Sequence, residues 1–247
     1  FTKTIQLLAG DFTYARYKPL EYYVGDKKEG EVQAQKNLAK FMKILLVKRL
    51  ESSFYAFRLS LERFIHSYER FIQEFQRGNV FISKKYINKI FEWLDDDNPE
   101  GIQQLIDEDK ADKLNAADFS ENFIKDLESD LQILKEVHSL WQRVRRDPKW
   151  EKFNQILTSK AELKSNKIVI FTESKETATY LAGKIEKDLS EKVILFSGES
   201  SQATREIIIA NFDARAFQPK DDYRILVTTE VLSEGVNLHR SNVVINY

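Results

Sequence analysis

Apolar residues between 36 and 75 recur at alternating spacings of four and three: Leu50, Phe54, Phe57, Leu61, Phe64, Tyr68, Phe71 and Phe75. That interval is the seam of an amphipathic helix, so the pattern predicts one long helix over 36–75. Arg49, Arg58, Glu62, Arg63, Glu69 and Arg70 occupy the other faces, where solvated charge flanks the stripe. Gly78 and Asn79 supply a stop signal. A second pattern places Phe123, Leu127, Leu131, Leu134 and Trp141 on one side of a helix, with Ser120 as its N-cap and Pro148 marking its end. Each stripe must be buried against something, and antiparallel pairing of the two helices is the simplest solution. Between them, "SKKYINKIFEWL" reads as a short helix and "DDDNPEGIQQLIDEDKAD" as an acidic turn leading into another.

The texture changes near residue 164, where "NKIVIFTES" is an aliphatic run bounded by polar residues. Strands at 167–171, 192–196, 224–229 and 242–247 then alternate with helices at 175–188 and 202–213 and a short helical turn at 230–234. Alternation of this kind predicts a parallel sheet with helices on its faces. The chain is expected to divide into an extended connector over 1–35, a helical region over 36–163 and a partial α/β unit over 164–247.

Composition narrows the chemistry. The 247 residues are 42% hydrophobic, enough for a real core, with only eight glycines and four prolines, too few turns for an all-β protein. A net charge of −1 gives no global attraction to a polyanion, so a nucleic-acid site must come from locally grouped residues. There is no cysteine, and His66, His138 and His239 are far apart in sequence, so no structural metal is expected. No apolar run is long enough to span a bilayer and no secretion signal opens the chain, which makes no membrane association and a cytoplasmic location the expectation.

Three strands end in polar loops: "TESKE", "SGESSQATR" and "TEVLSEGVN". In an open parallel sheet such loops share the carboxyl edge, where ligands gather, and the helix starts behind them favour phosphate. "TTEVLSEGVNL" followed by "VVINY" resembles motif V of superfamily-2 helicases, "QATREIIIANF" after "FSGE" resembles their Q-x-x-R segment, and "KIVIFTESKETATYLAGKI" is similar to the strand and helix that open their second RecA-like lobe. The helical region with "KRLESSFYAF" further resembles the bacterial, Swi/Snf-related branch, in which a helical insertion lies between two lobes.

The resemblance implies an α/β fold, a partial RecA-like sheet with flanking helices, joined to a mostly α-helical insertion of long antiparallel helices. It further implies the second motor lobe of an ATP-dependent helicase or translocase, gripping nucleic-acid backbone and closing on ATP and Mg2+ bound mainly by a first lobe. Thr172, Ser174, Gln202, Arg205, Thr228 and Thr229 fall on positions facing nucleic acid, and Glu234, Gly235 and Asn237 on positions nearest the nucleotide. Hydroxyls, amides and an arginine suit a motor that holds a backbone without reading bases. DNA is favoured over RNA, because Glu234 and Asn237 fit the "SEGxNL" form of the translocase branch and depart from the DEAD-box form. The sequence contains no G-x-x-x-x-G-K-[ST] loop, D-E-x-H box or Q-x-x-G-R-x-x-R motif, so no catalytic residue is assigned and the chain alone is expected to be inactive.

Plainer readings stand beside these. The aromatic seam from Phe54 to Phe75 occupies buried positions and belongs to packing, because stacking surfaces must be exposed. "RVRRDPKWEK" places basic residues at a helix end, where they stabilise the dipole. The acidic run at 95–97 reads as a solvated turn and His239 as a loop histidine. Two rivals compete with the motor: a non-catalytic RecA-like scaffold whose paired helices dock a protein partner, and a nucleotide-sugar binder, since one fold hosts many functions.

Overall fold

A computed structural model of the chain describes residues 1–82, 112–229 and 236–247. The expected short helices and acidic turn after residue 82, and the turn at 230–234, lie outside the described residues. The chain folds as two compact units, Phe1–Glu51 with Phe57–Arg145, and Ser52–Ala56 with Arg146–Tyr247.

The first unit comprises α1 (Thr2–Gln6), α2 (Glu29–Ser52), α3 (Phe54–Gln76), the hairpin of β1 (Asn79–Ile82) and β2 (Asp112–Asn115), and α4 (Asn122–Gln142). The expected single helix over 36–75 is therefore two. Ser53 interrupts it: its hydroxyl accepts the Ala56 N–H at 3.0 Å, capping α3, and a local side-chain acceptor of this kind competes with the helical ladder. Gly78 does end the segment, with φ of 86°.

α3 and α4 run antiparallel. Phe57 at the start of α3 meets Trp141 at the end of α4, ring centroids 5.2 Å apart, and Phe75 near the end of α3 meets Phe123 at the start of α4 at 5.6 Å. The buried positions of α4 are Phe123, Leu127, Asp130, Leu134, Val137 and Trp141. Asp130 thus takes the seam position that hydrophobicity alone gives to Leu131. Its Oδ1 accepts the Thr13 N–H at 2.7 Å; its Oδ2 accepts the Ala15 N–H at 2.9 Å and the Tyr68 hydroxyl at 3.0 Å. Burial pushes its carboxyl above the ordinary value, against the lowering effect of those donors.

The same bonds organise the amino terminus. Residues 1–35, expected to be an extended connector, fold instead into α1, helical turns at Leu7–Asp11, Ala15–Tyr17 and Pro19–Glu21, and the first turns of α2. Leu8, Phe12, Tyr14, Tyr17 and Leu20 are buried. Phe12 and Tyr17 pack on Tyr68 with centroids 5.6 and 6.2 Å away.

The second unit comprises α5 (Pro148–Ser159), α6 (Ala161–Ser165), β3 (Ile168–Phe171), α7 (Lys175–Leu189), β4 (Val193–Phe196), α8 (Gln202–Phe212), β5 (Ile225–Thr228) and β6 (Val243–Asn246). The sheet order is β4-β5-β3-β6, and each of its ladders is parallel. Ile168, Ile170, Ile225 and Val227 face a core closed by Trp150, Phe153 and Leu157 of α5, Leu163 of α6, and Leu181 and Ile185 of α7. Val169, Ile194 and Leu226 face Ile208 and Phe212 of α8. Burial on both faces is why these strands read as unbroken aliphatic runs. Pro148 opens α5 rather than closing α4, with Asp147 as its N-cap. The unit therefore begins at Arg146, ahead of the boundary expected at 158–166, because α5 carries aromatic residues that the sheet needs. Among the described residues, no helix is long and apolar enough to cross a membrane.

Candidate nucleic-acid interface

β5 lies between β4 and β3, and its last residue is in register with both of theirs: Thr228 pairs with Phe196 on one side and Phe171 on the other. The pairing continues one step past the strands, since the Thr172 N–H donates to the Thr228 carbonyl at 2.9 Å and the Thr229 N–H to the Phe196 carbonyl at 3.4 Å. The three loops singled out in the sequence thus leave from adjacent strands at one edge. Lys175 and Glu199 form an ion pair between the first loop's helix and the second loop.

In the first loop, Thr172 and Ser174 are buried. The Thr172 hydroxyl donates to the Ser174 carbonyl at 3.0 Å. Ser174 is the N-cap of α7: its hydroxyl accepts the Thr177 N–H at 3.2 Å and donates to the Thr177 hydroxyl at 2.9 Å. Such a cap contributes roughly 0.5–2 kcal/mol, and here it also sets the orientation of the first turn.

In the second loop, the Ser197 N–H donates to the Ser200 hydroxyl at 2.8 Å and the Ser200 N–H to the Ser197 carbonyl at 2.9 Å, closing a tight turn. Ser201 caps α8 by accepting the Thr204 N–H at 3.2 Å. Gln202, the first residue of α8, is exposed. Arg205 follows, its guanidinium 5.9 Å from the Phe196 ring centroid.

At the third edge, Thr228 is fully buried and its hydroxyl donates to the Thr229 carbonyl at 2.9 Å. The neighbouring Thr229 hydroxyl is different: it is buried and has no hydrogen-bond partner among the described residues. Buried polar atoms are overwhelmingly paired, and Thr229 shares this condition with Asn154, Ser241 and Tyr247. Glu234 and Gly235 lie outside the described residues. Asn237 is exposed, between Val236 and Leu238, which pack on the α8 face of the sheet. From there the chain runs to Arg240, whose N–H donates to the Phe212 carbonyl at the far end of α8. The edge therefore brings together Thr172, Ser174, Thr228 and Thr229 with the loop that leads into Gln202 and Arg205 of α8, and no hydrogen bond among the described residues ties Asn237 to them. His239, read from the sequence as a loop residue, has its Nδ1 3.6 Å from Asp213.

Missing from the sequence reading are Ser52, Ser53 and Thr177, whose hydroxyls stand directly behind Ser174. No break in the apolar seam marks the serine pair, since Leu50 and Phe54 keep the spacing across it. Among the described residues there is no cluster of His, Cys, Asp or Glu able to hold a metal.

A parallel sheet with helices on both faces and its polar loops gathered at the carboxyl edge is an open α/β architecture of the kind a RecA-like lobe has. Residues 148–247 match the family described as the helicase conserved C-terminal domain. Among solved structures, the C-terminal domain of a Sulfolobus solfataricus SWI2/SNF2 ATPase is 27% identical over 51% of this chain and 57% of that one, with a TM-score of 0.34. The C-terminal part of the Fun30 ATPase domain is 16% identical over 99% of this chain and 69% of that one, with a TM-score of 0.38. The chain thus spans little more than half of the first of these. No curated protein matches.

Proposed function

We propose that residues 148–247 are the second motor lobe of an ATP-dependent DNA helicase or translocase, and that the carboxyl edge of the sheet grips the sugar-phosphate backbone. The observation that carries this reading is the unpartnered Thr229 hydroxyl, set at the mouth of the central strand between two further loop-bearing strands. In water-poor surroundings an unpaired hydroxyl costs about 1–3 kcal/mol, and a phosphate oxygen accepting from it would recover that cost.

The residues divide by role. Thr229, Gln202 and Arg205 supply the side chains that meet the backbone, the arginine through charge and the other two through hydrogen bonds. Thr172, Ser174 and Thr228 direct their hydroxyl protons inward and hold the edge in shape. A motor that must slide benefits from such contacts because they carry no base information.

ATP and Mg2+ belong mainly to a first lobe outside this sequence. The chain has no phosphate-loop motif and no metal-binding cluster among its described residues, so its own contribution is limited to closing on a nucleotide through Glu234, Gly235 and Asn237. Bound there, ATP would supply the hydrolysis that alternates the lobes between tight and loose states. The paired helices of the first unit offer a face for a protein partner. The test is an ATPase assay on the full-length protein with single-stranded DNA, double-stranded DNA and RNA. Stimulation by DNA above RNA is expected, and a rate indifferent to all three would overturn the reading.

A further inference from the structure

Four buried hydroxyls meet at the start of α7. Thr177, wholly buried, is bonded through its Oγ1 to Ser52 at 2.8 Å, to Ser53 at 3.0 Å and to Ser174 at 2.9 Å. A hydroxyl has one proton and two lone pairs. With Ser174 donating to it, Thr177 fills its capacity by accepting from one of the two serines and donating to the other. Ser53 also accepts the Ala56 N–H, so every member of the group is tied to backbone or to another member.

Capping explains Ser53 and Ser174 and leaves Ser52 and Thr177 unexplained. Replacing buried polar groups by apolar side chains of similar shape is often neutral or favourable, so stability alone does not call for those two hydroxyls. The chain goes to some length to supply them: Ser52 and Ser53 stand where the apolar period would continue a helix from α2 into α3. The five residues Ser52–Ala56 fold with the second unit although the helices on either side belong to the first. They are anchored there twice more, by stacking of Tyr55 on Tyr180 at 5.6 Å and by the Lys149 ammonium donating to the Ser52 carbonyl at 2.9 Å.

We infer that Thr177, held by Ser52 and Ser53, is a positioning residue for the nucleic-acid loop after β3. It directs the Ser174 hydroxyl inward and so fixes the Thr172–Ser174 loop and the first turn of α7, whose backbone N–H groups, rather than the inward-turned hydroxyls, meet the phosphate. The inference rests on the proposed function. Polar groups do this better than apolar ones because hydrogen bonds specify direction, whereas apolar contacts tolerate rotation.

The experiment uses the full-length protein and measures the DNA concentration that gives half-maximal ATPase stimulation, the ATPase rate without DNA and the melting temperature. Thr177→Val keeps the shape and removes the hydroxyl; it is expected to raise the half-maximal DNA concentration by about fivefold or more, as for one mis-set phosphate contact, with the DNA-free rate unchanged. Thr177→Ser restores the hydroxyl and is expected to stay within about twofold of the parent. Ser52→Ala with Ser53→Ala is expected to act in the same direction and to add little to Thr177→Val, because residues acting as one unit are not additive. This pair also keeps the test open should Thr177→Val fold poorly. A parent protein stimulated by DNA whose Thr177→Val and serine variants need no more DNA would overturn the positioning role alone, as would a Thr177→Ser variant as impaired as Thr177→Val. A parent protein that no nucleic acid stimulates would overturn the proposed function and this inference with it.

Discussion

The Thr172 N–H donates to the Thr228 carbonyl at 2.9 Å, which extends the β3–β5 ladder one step beyond the strands and leaves Thr229 as the first residue of the third loop free of it. Thr228 and Thr229 therefore differ in kind despite being neighbours of the same type. One hydroxyl is bonded to backbone, and the other is buried with no partner among the described residues. Thr229→Val should separate function from stability. Removing a buried, unpaired hydroxyl is expected to leave the melting temperature unchanged or raise stability by up to about 1 kcal/mol. DNA-stimulated ATPase of the full-length protein is expected to fall. Calorimetry and a stimulation curve on the same preparation decide it: a destabilised variant with normal stimulation would show that the hydroxyl serves packing.

Arg205 and Gln202 lie on the same helical turn, yet salt should tell them apart. A phosphate contact made by a cation releases a counterion, whereas one made by a neutral amide does not. Arg205→Ala is expected to make the dependence of log K on log salt shallower by about one unit. Gln202→Ala should weaken binding with the slope intact. DNA-binding titrations across a range of salt concentrations measure both, and equal slopes in parent and Arg205→Ala would remove the arginine from the interface.

The chain by itself is expected to hydrolyse no ATP. The phosphate loop and metal-binding carboxylates on which phosphoryl transfer depends have no counterpart in its sequence. Phosphate release from a clean preparation of these 247 residues, lost on no single purification step, would contradict the division of labour between lobes.

What the sequence displayed depends on the range of the forces involved. β3, β4 and β5 were legible because burial on both faces forces continuous aliphatic runs such as Ile168–Phe171 and Ile225–Thr228, whereas β6, exposed at Val244, was read from its place in the alternation. Their shared edge followed from the parallel order that strand–helix alternation implies. The break at Ser53 was not legible, since a heptad count registers apolar positions and is blind to a serine that finds a cap. Nor was the fold of residues 1–35, whose order comes from Asp130, more than a hundred positions away in the chain. Within the candidate site, motif spacing located Thr228 and Thr229 equally. Only the fold distinguishes the bonded hydroxyl from the unbonded one.

Asp130 provides the sharpest stability test in the first unit. Its two oxygens serve two different backbone amides, Oδ1 accepting from Thr13 and Oδ2 from Ala15, and Tyr68 adds its hydroxyl to Oδ2. An asparagine has one acceptor oxygen, so Asp130→Asn must leave one buried N–H facing an NH2 group. The expected cost is about 1–3 kcal/mol, read as a lower denaturation midpoint. Tyr68→Phe removes one donor while leaving both amides served, and should cost less. The pH dependence has a definite sign. Because burial raises the Asp130 pKa above its unfolded value, the folded state binds the extra proton, and its contribution to stability is fully present below the ordinary aspartate value of 3.8 and lost as pH rises through the raised pKa. Asp130→Asn cannot titrate, so its deficit relative to the parent should shrink as pH rises through that window. A deficit that grows instead, in unfolding curves taken from acid to neutral pH, would mean that the amide donors from Thr13 and Ala15 outweigh burial and hold the carboxylate ionised.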